Sequence, residues 1–327
     1  MKKIIIFTLI LLLGIGFYFL IYKQSPIGTK KGAEQASNHG SWEIKKPFTI
    51  ARSEIAVTAT NGYIYVIGGF TENGKTSNVV EQYNPKNNDW ETVAPLPVPL
   101  HHAVAAGINT KIFVVGGFLE GWKEVNTLYV YDEKTNTWSQ LESMPTPRGA
   151  LTTKIVSNKL YAIGGNQSAI GKDISTVEEY DIATNTWTTK TSMPTVRDHL
   201  ASAIFDNKIY VVGGRKLAFF DNLNKNELYD PLTDSWSTRS LLPTARGGIA
   251  AATAKETIFV FGGEGPLGTF SENEGYNPIT NSWLNYTSMP TARHGLGVVS
   301  FDNKIYVLGG GKTPALSVSN LNEVFIP

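Results

Sequence analysis

The chain has no cysteine in its 327 residues. That excludes disulfides, thiolate metal sites, cysteine nucleophiles and a lipid-modified cysteine, and it leaves the redox compartment open. Net charge is nearly lacking too, at +1, so no global field steers the protein toward nucleic acid or a membrane surface. No basic patch is interleaved with aromatics, and no nucleic-acid partner is expected. No G-x-S-x-G elbow occurs, and no nucleophile–base pair can be argued from spacing. Neither a cofactor nor a metal is expected. Beyond residue 23 nothing looks helical.

What the chain does have is a repeat. Two to four apolar residues followed by Gly-Gly recur six times, with first glycines at Gly68, Gly116, Gly164, Gly213, Gly262 and Gly309. The spacings are 48, 48, 49, 49 and 47 residues, a period that belongs to repeat architectures. Within a unit the first strand ends at a two-residue turn such as Asn61-Gly62, Ser157-Asn158, Asp206-Asn207 or Asp302-Asn303. Such pairs tolerate the positive φ of tight hairpins. A second strand leads into Gly-Gly, a variable loop follows, and a third strand ends at a tyrosine. A fourth strand starts at a tryptophan seven residues later, as in Tyr83/Trp90, Tyr131/Trp138, Tyr180/Trp187, Tyr229/Trp236 and Tyr276/Trp283. Pro in Met193-Pro194 marks the passage to the next unit, since proline cannot donate to a sheet ladder. The glycine pairs read as strand-end features that give backbone room at the inner rim, not as phosphate cradles.

The sixth unit ends at Asn322-Glu323-Val324-Phe325 without a fourth strand, and a spare Trp42 stands near the other end. An open edge strand is an association hazard that closure removes. The segment 42–46 is therefore expected to supply the missing outer strand. The fold class is all-β: a six-bladed β-propeller of four antiparallel strands per blade, closed by the N-terminal strand.

Ahead of it, Met1-Lys2-Lys3 precedes residues 4–22, a run without charge. At about 1.5 Å per residue this run spans roughly 28 Å, close to the hydrocarbon thickness of a bilayer. No A-x-A-like cleavage site follows. The expectation is an uncleaved transmembrane signal anchor over 1–23, a flexible linker over 24–40, and a monomeric propeller head over 41–327. Lys2 and Lys3 favour a cytoplasmic N-terminus and an extracytoplasmic head, whereas Lys23, Lys30 and Lys31 on the other side oppose it.

The doublet glycines, Tyr-[Asp/Asn]-Pro at Tyr83, Tyr229 and Tyr276, the tryptophan seven later, and Met-Pro-Thr-x-Arg together resemble the kelch-repeat family over 41–327. The resemblance implies a six-bladed propeller used as a binding platform for proteins or other ligands. Two kelch roles find no support in these residues: no room is expected for the oligomerisation domain of the ubiquitin-ligase adaptors, and there is no cysteine for a galactose oxidase-like copper site. The bacterial sialic acid mutarotase is similar in architecture and export, and Gly263-Glu264 is similar to the acidic position in its pocket. No arginine follows a few residues later, where Thr269 and Phe270 stand.

In a propeller the fourth-to-first and second-to-third connections emerge on one face. Arg52, Arg148, Arg197, Arg246 and Arg293 share one position, with Leu100 in the second unit. Five copies of one residue favour a structural role, since a guanidinium can satisfy loop carbonyls with its five donors. The residues after them vary: Ser53-Glu54, His101-His102, Gly149-Ala150, Asp198-His199, Gly247-Gly248 and His294-Gly295. Imidazoles from alternate blades, with Glu54 and Asp198, have the donors for a metal or for acid–base work, against the alternative of half-exposed loop histidines that point apart. After the glycine pairs stand Phe70, Phe118, Asn166, Arg215, Glu264 and Gly311, and the same loops carry Trp122, Phe219 and Phe220. Apolar loop residues form either a recognition patch or a small satellite cluster. The expected ligand-binding set is Phe70, His101, His102, Phe118, Trp122, Asp198, His199, Arg215, Phe219, Phe220, Glu264 and His294. The leading function is a membrane-tethered module that binds a protein or carbohydrate. The alternative is a sugar mutarotase using Glu264 with Arg215 or a mouth histidine.

Overall fold

Short apolar runs separated by turn pairs build antiparallel sheets of four successive strands, and six such blades circle one axis. The computed structural model describes residues 39–168, 172–217 and 220–327. The apolar run 4–22, most of the linker and Phe219 lie outside them. Among the described residues no helix is long and apolar enough to cross a membrane.

Blade one shows the plan, with strands Ala56–Thr60, Tyr63–Ile67, Val80–Asn84 and Asp89–Val93. The hairpin pairs take the left-handed conformation their residue types allow: φ is 49° and 62° at Ser157-Asn158 and 51° and 56° at Asp302-Asn303. Innermost strands are rich in small residues, as in Ala201-Ser202-Ala203, because six of them converge. Second strands such as Tyr63–Ile67 are buried on both faces, whereas outer strands such as Asp89–Val93 expose one face to water. Their compositions, apolar throughout or alternating, follow from that placement. The described core is six apolar clusters, each shared by two adjacent blades. One blade therefore cannot bury its faces alone.

Ser41–Ile44 pairs with Asn322–Ile326, placing Trp42 opposite Phe325 in blade six. The two termini thus share one sheet, and the outer strand begins one residue earlier than expected. His39 and Gly40, assigned above to the linker, already hold the head: their carbonyls accept from Thr287.

Three circles of hydrogen bonds join the blades. In the outer one, each repeat tryptophan donates its indole N–H to a carbonyl of the preceding blade. Trp90 donates to Lys46, Trp138 to Ala94, Trp187 to Glu142, Trp236 to Thr191, Trp283 to Ser240 and Trp42 to Thr287, all at 2.8–2.9 Å. In the middle one, the second glycine of each pair donates to the carbonyl of the residue at the arginine position of the next blade, for example Gly117 N to Arg148 O at 2.9 Å and Gly310 N to Arg52 O at 2.9 Å. Both glycines of every pair have positive φ, and a Cβ on Gly68 or Gly116 would come to 2.5 Å from a backbone oxygen. Only glycine meets both demands.

The five arginines are fully buried. Each pairs with a glutamate on the third strand of its blade: Arg52 with Glu81, Arg148 with Glu178, Arg197 with Glu227, Arg246 with Glu274 and Arg293 with Glu323. Each also donates to backbone carbonyls near the glycine pair, as Arg197 does to Gly213 and Val211. The structural role expected of the arginines is the one they have. Blade two lacks the arginine and the glutamate together: Leu100 and Tyr129 stand there and pack in one apolar cluster. An ion pair and an apolar pair are thus alternative solutions at one site, as expected where desolvation offsets most of the Coulomb gain.

Arg197→Leu alone strands the Glu227 carboxylate in the interior and should cost about 3–5 kcal/mol in denaturant unfolding. Arg197→Leu with Glu227→Tyr, copying blade two, should recover more than half of that loss. A double variant as unstable as the single one would contradict the equivalence.

Candidate functional site

The third circle closes around the axis. One residue per blade, two after the arginine position, donates its backbone N–H to the corresponding carbonyl of the preceding blade. Glu54 donates to Gly295, His102 to Glu54, Ala150 to His102, His199 to Ala150, Gly248 to His199 and Gly295 to Gly248, at 2.7–3.0 Å. All six residues have positive φ, between 48° and 69°. Four of them are not glycine, so the closed circle holds L-residues in a region they rarely occupy.

Immediately outside it, the residue after the arginine position pairs with the residue after Gly-Gly in every blade. The pairs are Ser53/Phe70, His101/Phe118, Gly149/Asn166, Asp198/Arg215, Gly247/Glu264 and His294/Gly311. The two kinds of loop therefore do share a face. Bulky side chains lie over small residues of the next blade. A Cβ on Gly149 would overlap the Phe118 ring, and one on Gly247 would come to 3.0 Å from Arg215.

This places the expected site residues in two groups. On the side of blades one and two, Phe70 stacks on His101 at 3.9 Å, and Trp122 packs against Phe70, His101, His102 and Phe118 with centroids 4.8–5.8 Å apart. Phe70 and Phe118 are buried and Trp122 is half-buried. They form a satellite cluster that walls the mouth.

On the other side the groups are charged. Arg215 Nη1 is 2.5 Å from Glu264 Oε1, and Arg215 Nε is 3.6 Å from Asp198 Oδ1. His294 stands 3.6 Å from Glu264 and 3.7 Å from Glu54, His102 Nε2 is 3.3 Å from Glu54 Oε2, and His199 Nδ1 is 3.0 Å from Asp198 Oδ1. Asn166 joins Asp198 to Asp173, at 2.8 and 3.0 Å. Burial pushes His101 down to about 3, and it lowers His102 and His294 as well. Burial alone would raise Glu264, but His294, Arg215 and the Ala315 amide outweigh it and hold the carboxyl low. Asp173 is pushed up to about 6 by burial and by Asp198.

Phe220 is exposed on the rim, and Phe219 lies outside the described residues. Sequence reasoning missed Asp173 and two exposed leucines, Leu267 and Leu316, whose signal was no more than an apolar residue between glycine, proline and polar neighbours. Residues 69–76 spell G-x-x-x-x-G-K-T and residues 263–268 spell G-x-G-x-x-G. Neither string opens a helix: the first runs through the 3-10 turn Glu72–Gly74 and the second into the short strand Gly268–Thr269. The helix N-terminus that makes such strings bind phosphate is missing there.

Along the axis, the inner strands enclose a cavity of about 130 Å³. Its lining is apolar or hydroxylic apart from the circle residues and Lys154. Lys154 makes no ion pair among the described residues, and burial lowers it from 10.5 to about 8.

The family description KLHDC2/KLHL20/DRC7 Kelch-repeats domain matches residues 36–214 and, in a second placement, 143–310. No curated protein matches the chain.

Between about pH 8 and 10.5 the unfolded chain keeps a proton on Lys154 that the folded chain has released, so folding gains stability as pH rises through that window. Below pH 8 the burial penalty is fully present. Lys154→Met should therefore raise stability at pH 7 by roughly 1–3 kcal/mol, and the difference from the parent should shrink toward pH 10. A difference independent of pH would contradict the assignment.

Proposed function

The chain belongs to the kelch-repeat family, and from that premise we propose that it is a membrane-tethered, extracytoplasmic binding module that takes a protein partner on its loop face. Kelch propellers typically serve protein interaction. The tether is the run 4–22, whose length and lack of charge suit a bilayer. The lysines before it favour a cytoplasmic start.

The observation that carries the reading is the contrast between the mouth and its rim. Asp198, Arg215, Glu264 and His294 are nearly fully buried and engage one another. Glu264 and Arg215, the pair a mutarotase would need free, are bonded to each other at 2.5 Å. The second-to-third-strand loops of blades four to six do the opposite. They expose Leu217, Phe220, Leu267 and Leu316 at 55–97%, on the face where ligands of this fold enter. Leu267 stands at the tip of a hairpin, between Pro266 and Gly268. Three of these four side chains are aliphatic, which suits the apolar core of a protein interface better than the aromatic platforms that stack on sugars.

Leu267→Asp with Leu316→Asp should weaken partner capture by the immobilised full chain from envelope extract by tenfold or more. The melting temperature should barely move, because exposed positions rarely cost more than about 0.5 kcal/mol. Capture unaffected by the substitutions, together with sugar anomer exchange that is lost in Glu264→Gln, would replace this reading with the enzymatic one.

A further inference from the structure

We propose that the mouth holds a divalent transition metal ion of the zinc class, bound by Glu54, His102 and His199. This revises the expectation that no metal is bound. It is independent of the rim and of any protein partner.

One donor atom from each of the three side chains lies within 4.8 Å of the other two. The convergence is built in: all three residues are members of the axial circle, linked by its backbone hydrogen bonds. The His102 and His199 rings are 4.9 Å apart by centroid and nearly perpendicular. His102 Nε2 and Glu54 Oε2 are 3.3 Å apart. Bonds of about 2.1 Å in a tetrahedron put neighbouring donors roughly 3.4 Å apart, so this edge is already at its length.

The proton arrangement leaves room for a cation. His101 Nδ1 and His102 Nδ1 are 2.6 Å apart, so one of them carries a proton and donates to the other. When His102 donates, its Nε2 presents a lone pair to the Glu54 oxygen. Two acceptors at that separation need a positive centre between them. His199 shows the same want. Its side chain is 92% buried, its Nδ1 faces Asp198 Oδ1 at 3.0 Å, and its Nε2 makes no hydrogen bond among the described residues. A proton on Nδ1 facing that carboxylate leaves Nε2 free, the arrangement by which carboxylates orient metal-binding histidines.

Local charge points the same way. Glu54, Asp198 and Glu264 set three carboxylates in the mouth against one guanidinium, that of Arg215. Two imidazoles and a carboxylate suit zinc, cobalt, nickel or copper; magnesium and calcium prefer sets made wholly of oxygen. Three protein donors leave a fourth position for water or a ligand oxygen.

The test uses the full chain without an affinity tag, stripped with chelator and titrated with Co²⁺. The expected result is one Co²⁺ per chain, with the visible absorption of a low-coordinate ion that Zn²⁺ displaces. His199→Ala and Glu54→Gln should each weaken binding by about 100-fold or more. Asp198→Asn should weaken it by about 10–100-fold. His39→Ala, outside the mouth, should leave it unchanged. Melting temperatures recorded without metal separate loss of the site from loss of the fold, and His199→Gln replaces any variant that fails to fold. A stoichiometry near zero would overturn the proposal, as would equal binding by the parent and the folded Glu54 and His199 variants.

Discussion

Six backbone hydrogen bonds around one axis are the constraint on which the rest depends. Each needs a residue in the left-handed region, and each takes its partner from the neighbouring blade. A circle of this kind closes only when all the blades are present. The strain of four non-glycine residues is then held by the two wider circles, at the glycine pairs and at the tryptophans. Small inner-strand residues are the sequence-level condition for it, since bulkier ones would hold the strands apart. The join of Ser41–Ile44 to Asn322–Ile326 is the chain-level condition, because it puts both ends of the polypeptide into one sheet.

That geometry also determines the character of the mouth. Carboxylates, imidazoles and a guanidinium from residues 54 to 294 are brought within a few ångströms of one another and away from water. In such surroundings a charge is stable only when paired. The polar side chains of the mouth are therefore turned toward one another, and the side chains left to face outward are those of the longer loops. Recognition at the rim and any ion at the axis can then vary separately, one through loop residues and the other through residues of the circle.

Much of this could be read from residues alone, for a physical reason. Turn pairs, glycine doublets and the Tyr–Trp spacing act within a dozen residues, and their demands on φ or on packing show in residue type. The terminal closure could be read because a missing Trp at one end matched a spare Trp42 at the other. The glutamate opposite each arginine could not. It lies 28–30 residues away in sequence among other acidic residues, and only blade two, where Leu100 and Tyr129 replace both partners, identifies the pair. Gly149 and Gly247 carried no local signal either, since what they accommodate is a side chain of the preceding blade. The exposure of Leu267 and the burial of Phe70 and Phe118 are tertiary facts, and in sequence all three were simply apolar loop residues. The left-handed backbone at Glu54, His102 and His199 is imposed by the circle against their own preference, and composition gives no hint of it.

The most direct measurement is amide hydrogen exchange at Glu54, His102, Ala150, His199, Gly248 and Gly295. Because the circle opens only when the propeller opens, the account predicts that all six exchange at one rate, among the slowest in the chain and equal to that of global unfolding. Exchange at Glu54 and Gly295, beside the seam, orders of magnitude faster than at Ala150 and His199 would show that the circle is not a single closed unit, and would contradict the account.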